Sequence, residues 1–234
     1  MPNHSKPGEA LAEDFLGFGR RELATVKDLL VRPSKVLTAW MEQGPEGGGL
    51  YSRPLRLYLA LNAILMLLLF LRGGAGFVFD SLPSEIMDPL LERTGKSKDA
   101  FIADAEGWMT LVMVPIMSAF YALAATPLLR WWDKEDLGWR RGFRASFAWL
   151  NAWTVPMMPI AWWSYGNGPL QAFMGILIGL LGMVGFVRMG RGRWYKSTAG
   201  GIGKSIVLII VVGIFSQIGG VLVGAIGVLG GVFS

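Results

Sequence analysis

Four cations crowd one short stretch: Arg188, Arg191, Arg193 and Lys196 fall within nine residues, with Trp194 and Tyr195 between them and no acid nearby. The stretch directly follows an apolar run, which puts it at the headgroup level of a membrane. A basic residue beside an anionic leaflet contributes about 1 kcal/mol. The cluster therefore predicts binding of anionic lipid headgroups. The competing reading is that these charges only orient the chain across the bilayer.

Other chemistries find less to work with. Gly200-Gly201-Ile202-Gly203-Lys204-Ser205 looks like the end of a phosphate-binding loop, but Thr198 stands where the motif needs its first glycine and no strand precedes it. The chain has no cysteine and a single histidine, His4. Thiolate chemistry, disulfides and multi-His metal sites are thereby excluded. With no nucleophile–base pair and no metal set in view, the expectation is a non-enzymatic chain with no cofactor, no metal and no nucleic-acid partner. The acidic stretch 80–107 also fails the EF-hand spacing.

Apart from Arg72 and Arg144 near the run ends, the polar groups inside the apolar runs are few and uncharged: Asn62, Asn151 and Thr154, together with Ser118, Tyr121, Thr126, Gln171 and Gln217. Proton-driven pumps carry ionisable residues at this depth, so their absence argues against one. Asn62 and Asn151 read as hydrogen-bonding glue between helices, with a lipid headgroup contact as the alternative.

These residues need elements to hold them. Hydrophobic residues make up 53% of the 234, charged residues only 17%, and mean hydropathy is +0.45. A soluble domain carries roughly 25% charged residues. The apolar residues collect into five runs: Leu57 to Phe79 with Arg72 snorkelling, Trp108 to Leu129, Phe143 to Tyr165, Leu170 to Val187, and Ile206 to Phe233. Each approaches or exceeds the roughly 20 residues a transmembrane helix needs. The first begins past residue 50, which predicts no secretory signal, and Pro2 excludes myristoylation.

Orientation follows from the basic residues. Eighteen of the 22 lysines and arginines lie before the first run, between the second and third, or between the fourth and fifth. The positive-inside bias then places the N-terminus in the cytoplasm and the C-terminus outside. Trp131, Trp132, Trp108, Trp162, Trp163, Tyr165, Trp194 and Tyr195 read as interfacial anchors. Residues 9–31 repeat apolar side chains (Leu11, Phe15, Phe18, Val26, Leu29) at helical steps and predict an amphipathic helix ending before Pro33. It either lies on the inner leaflet or docks a partner. A second short helix follows from Ser34, the expected N-cap, to Glu42, and then a flexible turn over 44–49. In the acidic outer loop, 80–107, two helices split at Gly95 are expected.

Glycines set the expected packing. The pairs Gly175/Gly179, Gly220/Gly224 and Gly227/Gly231 have small-xxx-small spacing, which lets membrane helices approach closely. The prediction is that the fourth and fifth spans pack tightly together. Pro115, Pro127, Pro156 and Pro159 are expected to break or kink spans two and three.

Two segments carry a resemblance. Thr25-Val-Lys-Asp-Leu-Leu-Val-Arg-Pro33 with Ser34-Lys35-Val36, and Arg53-Pro54-Leu55-Arg56-Leu57-Tyr58-Leu59, resemble an uncharacterised bacterial inner-membrane family, domain of unknown function 3667. The Cys-rich zinc ribbon of many members is absent here. The five-span layout is similar to the Yip1 superfamily. The resemblance implies a cytoplasmic segment ending in a proline, then a compact helical bundle in the bacterial inner membrane.

The resulting expectation is an all-α polytopic bundle: a cytoplasmic segment over 1–54, then five spans over 55–234. Its function is that of a Yip1-like adaptor or organiser contacting anionic lipids and a partner membrane protein or a second copy of itself. The alternative is a transporter, scramblase or channel for a lipid or small solute, its path among spans two and three.

Overall fold

The computed structural model describes residues 19–80, 82–135, 137–166 and 168–234. The helical pattern at Leu11, Phe15 and Phe18, like His4, lies outside them. Every described element is a helix. Helix α1, Arg20–Val31, stops where Pro33 forces its predecessor out of helical geometry. Arg32 takes φ −139° and ψ 57°. Helix α2, Pro33–Glu42, starts on that proline, whose missing N–H costs nothing at a first position. Its cap is therefore Arg32, and not Ser34 as expected.

The glycine-rich turn after α2 is built rather than loose. Gly44, Gly47, Gly48 and Gly49 adopt positive φ. The amides of Gly49 and Tyr51 both donate to the Glu46 carbonyl. Helix α3, Pro54–Leu71, is shorter than the expected first span. The Arg72 amide closes it onto Leu68 and Leu69, and the chain then turns through Gly73 and Gly74 at φ +100° and +77°, conformations that glycine adopts without strain. A four-residue helix, α4 (Phe77–Asp80), follows where continued span was expected.

The acidic segment 80–107 forms the two expected helices split at Gly95. Helix α5, Ser84–Thr94, ends at Gly95 in the left-handed region, and Ser97 caps α6, Lys98–Trp132, by accepting the Ala100 amide at 3.3 Å. At 35 residues α6 is about 53 Å long, well beyond a hydrocarbon core of about 30 Å. Helices α7 (Trp139–Ser164), α8 (Pro169–Gly190) and α9 (Thr198–Phe233) complete the bundle. Pro115 and Pro127 lie within α6, and Pro156 and Pro159 within α7; neither helix is interrupted at them. Gly200 to Ser205 lie in the first turns of α9, capped by Ser197, so no phosphate-cradling loop forms there.

Four helices, α3, α6, α8 and α9, are long and apolar enough to cross a membrane. Helix α7 has the length but is rich in Trp, Asn, Ser and Pro. It is also the central helix, packed against α3, α6 and α8 and, at its N-terminal end, α1 and α2. A helix enclosed by its neighbours has little lipid-facing surface and needs no apolar perimeter.

The main partner of α9 is α6, not α8. A Cβ at Gly219, Gly227, Gly230 or Gly231 would run into Met117, Met109, Trp108 or Phe101 of α6. By contrast, a Cβ at Gly175, Gly179, Gly220 or Gly224 would meet nothing within 4 Å. The expected tight faces at Gly175/Gly179 and Gly220/Gly224 are thus corrected: the close stripe on α9 is the adjacent one, which keeps Gly227 and Gly231. On α8 the close approach is at Gly182 and Gly185. A Cβ at Gly185 would stand 3.1 Å from the Ala152 carbonyl oxygen of α7.

Candidate lipid-binding site at the inner end of the bundle

The end of the bundle where α1 and α2 pack is a polar hub on an apolar base. Leu29, Val36, Leu37 and Trp40 of α1 and α2 share one buried cluster with Leu57, Leu129, Trp149, Phe186 and Trp194. Around it the turn after α2 is fastened to α1. Ser52 donates its hydroxyl to Glu22 Oε1 and its amide to Thr25 Oγ1, both at 2.9 Å. Its carbonyl accepts Trp40 Nε1 at 3.0 Å. Burial alone would raise the Glu22 carboxyl, but the Ser52 hydroxyl, backbone amides and Arg56 outweigh it and hold the group below its usual range.

The loop joining α8 to α9 is locked as firmly. Arg193 Nε donates to Asp133 Oδ2 at 2.6 Å, with Glu135 at 3.4 Å and Glu42 at 4.0 Å. The Asp133 side chain is fully enclosed and that of Arg193 only 6% exposed. Arg141 binds Glu135 at 2.7 Å. This hydrogen bond, with the nearby Arg193 charge, lowers the Glu135 carboxyl. Trp194 stacks on Phe186 at 5.2 Å, Tyr195 stacks on the same Phe186 ring at 5.9 Å, and Tyr195 donates its hydroxyl to the Val187 carbonyl. Lys204 Nζ donates to the Trp194 carbonyl at 2.7 Å. Trp194 and Tyr195 are buried, so they pack the bundle end instead of forming an exposed aromatic belt.

The four clustered cations therefore separate. Arg193 turns inward and is spent on carboxylates. Arg188 stays at the surface, donating to the Leu30 and Val31 carbonyls at 2.6 and 3.3 Å, a favourable place for a cation because the α1 C-terminus is electronegative. Arg191 and Lys196 are exposed. Sequence spacing did not reveal that Arg188 and Arg191 meet Arg32 and Lys35 from the α1–α2 junction. These four line one groove of about 560 Å³, with the hydroxyl-bearing Ser34 and Thr198, and no carboxylate lines it. The signal that pointed to this groove was the proline-terminated basic segment Arg32-Pro33-Ser34-Lys35, read only as a helix boundary.

The intramembrane polar residues divide similarly. Asn151 is buried and ties α7 to the start of α3, its Nδ2 donating to Pro54 O at 2.7 Å and to Phe147 O at 2.8 Å. Asn62 donates to Tyr58 O within its own helix at 2.8 Å. Asn62 and Thr154 both line a slot between α3, α6 and α7. The chain matches no family model, no curated protein and no solved structure.

Proposed function

We propose that the chain is a non-enzymatic integral membrane protein that acts as a Yip1-like adaptor or organiser in the bacterial inner membrane, holding anionic lipid at its inner face. The observation that carries this reading is the groove lined by Arg32, Lys35, Arg188 and Arg191 without a carboxylate. Convergent cations with hydroxyl donors suit a phosphate-bearing headgroup. Leu23, Leu30 and Val31 of α1, all exposed, give the same end an apolar surface for the leaflet or for a partner membrane protein.

The test is lipid retention. Replacing Lys35 and Arg191 by Gln leaves the Arg193 ion pairs and the Arg188 hydrogen bonds intact. Two lost headgroup contacts correspond to about 2 kcal/mol at low salt, or roughly thirtyfold in affinity. Native mass spectrometry is expected to find far less co-purified phosphatidylglycerol and cardiolipin, with unchanged melting. Equal lipid occupancy in both proteins would leave these cations with an orienting role alone. Added salt weakens the wild-type binding, since the groove is open to screening.

Topology is the second part of the reading: five spans, with α7 crossing as the third inside a ring of its neighbours. The basic asymmetry supports a cytoplasmic N-terminus and an outside C-terminus. Reporters fused after Ser234 or inserted at Gly95 are expected to face the periplasm, and reporters at Gly138 or Gly192 the cytoplasm. A cytoplasmic C-terminus would remove α7 from the bilayer and end the five-span layout.

A further inference from the structure

At the opposite end of the bundle two cavities meet. Helix α3 packs along α7 but touches α6 only lightly, and the gap left is a slot of about 330 Å³. Its lining reaches from Tyr58 to Leu69 on α3, about 16 Å of helix. The walls are mainly apolar, with Asn62, Thr154 and the tyrosines Tyr58, Tyr121 and Tyr165 among them. Five methionines, Met66, Met109, Met113, Met117 and Met157, face it; flexible thioether side chains adapt to a ligand of variable shape.

Tyr165 stands between this slot and a polar outer pocket of about 600 Å³, lining both. Its hydroxyl donates to the Leu65 carbonyl at 3.0 Å, which pins the α7 end to α3 beside the opening. The outer pocket is lined by Arg72, Asp99, Glu106 and Gln171. Arg72 lies over the Trp162 ring at 5.4 Å. Glu106 is held under the glycine turn, accepting the Ala75 amide at 2.9 Å. A Cβ at Gly74 would collide with its carboxylate, so the glycine is what lets the acid reach this position. One cation and two carboxylates at the mouth of an apolar slot complement a headgroup that carries both signs.

We propose that the slot and the outer pocket together bind a single-chain zwitterionic phospholipid of the lysophosphatidylethanolamine type. The acyl chain fills the methionine-lined slot, the phosphate pairs with Arg72, and the ammonium is received by Glu106 and Asp99. At about 330 Å³ the slot has room for one acyl chain, so a diacyl lipid would leave its second chain outside it, which favours the lyso form. An anionic headgroup without the ammonium would leave Glu106 and Asp99 facing a phosphate, a repulsion that disfavours it. This site is at the far end from the basic inner groove and does not depend on it.

The experiment titrates the delipidated full chain in detergent with lysophosphatidylethanolamine, lysophosphatidylglycerol and diacyl phosphatidylethanolamine, read by native mass spectrometry. The expected order places lysophosphatidylethanolamine at least tenfold ahead of both others. Arg72→Gln is expected to weaken it by tenfold or more. Glu106→Gln keeps an oxygen to accept the Ala75 amide but removes the charge, so it is expected to abolish the preference over lysophosphatidylglycerol. Met113→Trp fills the slot and is expected to remove binding of every lysolipid there. Equal binding of the three lipids by wild type would overturn the proposal. So would lysophosphatidylethanolamine binding that Arg72→Gln and Glu106→Gln, both at the pocket mouth and outside the packed core, leave unchanged.

Discussion

Arg193→Gln is expected to lower the melting temperature sharply, while Arg191→Gln, two residues away, leaves it unchanged. Arg193 is the only one of the four clustered cations that turns into the protein, where it meets Asp133 at 2.6 Å in an enclosed pair. Removing the guanidinium leaves this enclosed carboxylate with the Glu135 amide, which donates to its Oδ1 at 3.0 Å, and no paired cation among the described residues. Breaking a buried pair on one side costs about 3–5 kcal/mol, because the remaining charge is uncompensated. The loss extends beyond the pair: Arg193 holds the loop that lets Trp194 stack on Phe186 and Lys204 reach the Trp194 carbonyl. Asp133→Asn with Arg193→Gln removes both charges, and the double variant is expected to be more stable than Arg193→Gln alone. Thermal unfolding of wild type, Arg193→Gln, Asp133→Asn and the double variant in one detergent completes the cycle. Equal melting of wild type and Arg193→Gln would mean that the pair is solvated and the loop is held by its aromatic residues alone.

This residue marks the boundary of what sequence could say. Its neighbours in the chain are basic, so proximity in sequence grouped it with lipid-facing charges. The carboxylates that claim it, Asp133, Glu135 and Glu42, come from the ends of α6 and α2. No local pattern records a pairing across 60 residues. The same limit hid the basic groove, because Arg32 and Lys35 join Arg188 and Arg191 only when the α1–α2 corner packs on α8. Local signals fared better. Pro33 ended α1, Gly95 ended α5, and Ser97 opened α6, each through backbone chemistry that acts within a few residues. Arg72 shows an intermediate case. Its charge suggested snorkelling at a continuing helix, whereas the Gly73-Gly74 pair beside it supplied a turn and ended α3.

The weak apolarity of α7 has a comparable origin. Hydropathy along a chain measures how each residue would fare against lipid, and α7 is surrounded mainly by other helices. Trp149 and Trp153 illustrate this: their indole nitrogens donate to the Gly182 and Ile178 carbonyls of α8 at 3.1 and 2.7 Å. Asn151 likewise spends its amide on Pro54 and Phe147. A polar residue satisfied by a neighbouring helix lowers hydropathy without exposing an unpaired group to the hydrocarbon. A solute path through Asn151 and Thr154 would need Asn151 free of the α3 terminus it now holds.

Glycine spacing gives the second large expected effect, with a contrast inside one helix. Gly227→Ile is expected to destabilise the protein, whereas Gly220→Ile with Gly224→Ile is expected to be neutral or mildly stabilising. A Cβ at Gly227 would overlap Met109 Cγ and stand 3.1 Å from the Ala105 carbonyl oxygen. Met109 is buried in one cluster with Phe79 and Phe101 and can give way only toward the slot it lines, whereas the Ala105 oxygen moves only if α6 moves. Overpacking of this kind costs about 1–3 kcal/mol for added methylenes. Isoleucine adds more bulk beyond Cβ. It also forces α9 away from the pair Phe79 and Phe101, whose rings meet edge-on at 6.4 Å. At Gly220 and Gly224 the added side chains enter open space, and losing glycine removes a helix-propensity penalty of up to about 1 kcal/mol per residue. Both sets share the same spacing, the same helix and, being seven residues apart, nearly the same face of it, so sequence-based reasoning ranks them alike; only their level along α9 against α6 separates them. Unfolding measured in bilayers or detergent decides between the two. A tolerated Gly227→Ile beside a damaging Gly220→Ile/Gly224→Ile would mean that the close approach of α9 to α6 lies about two turns nearer the start of α9.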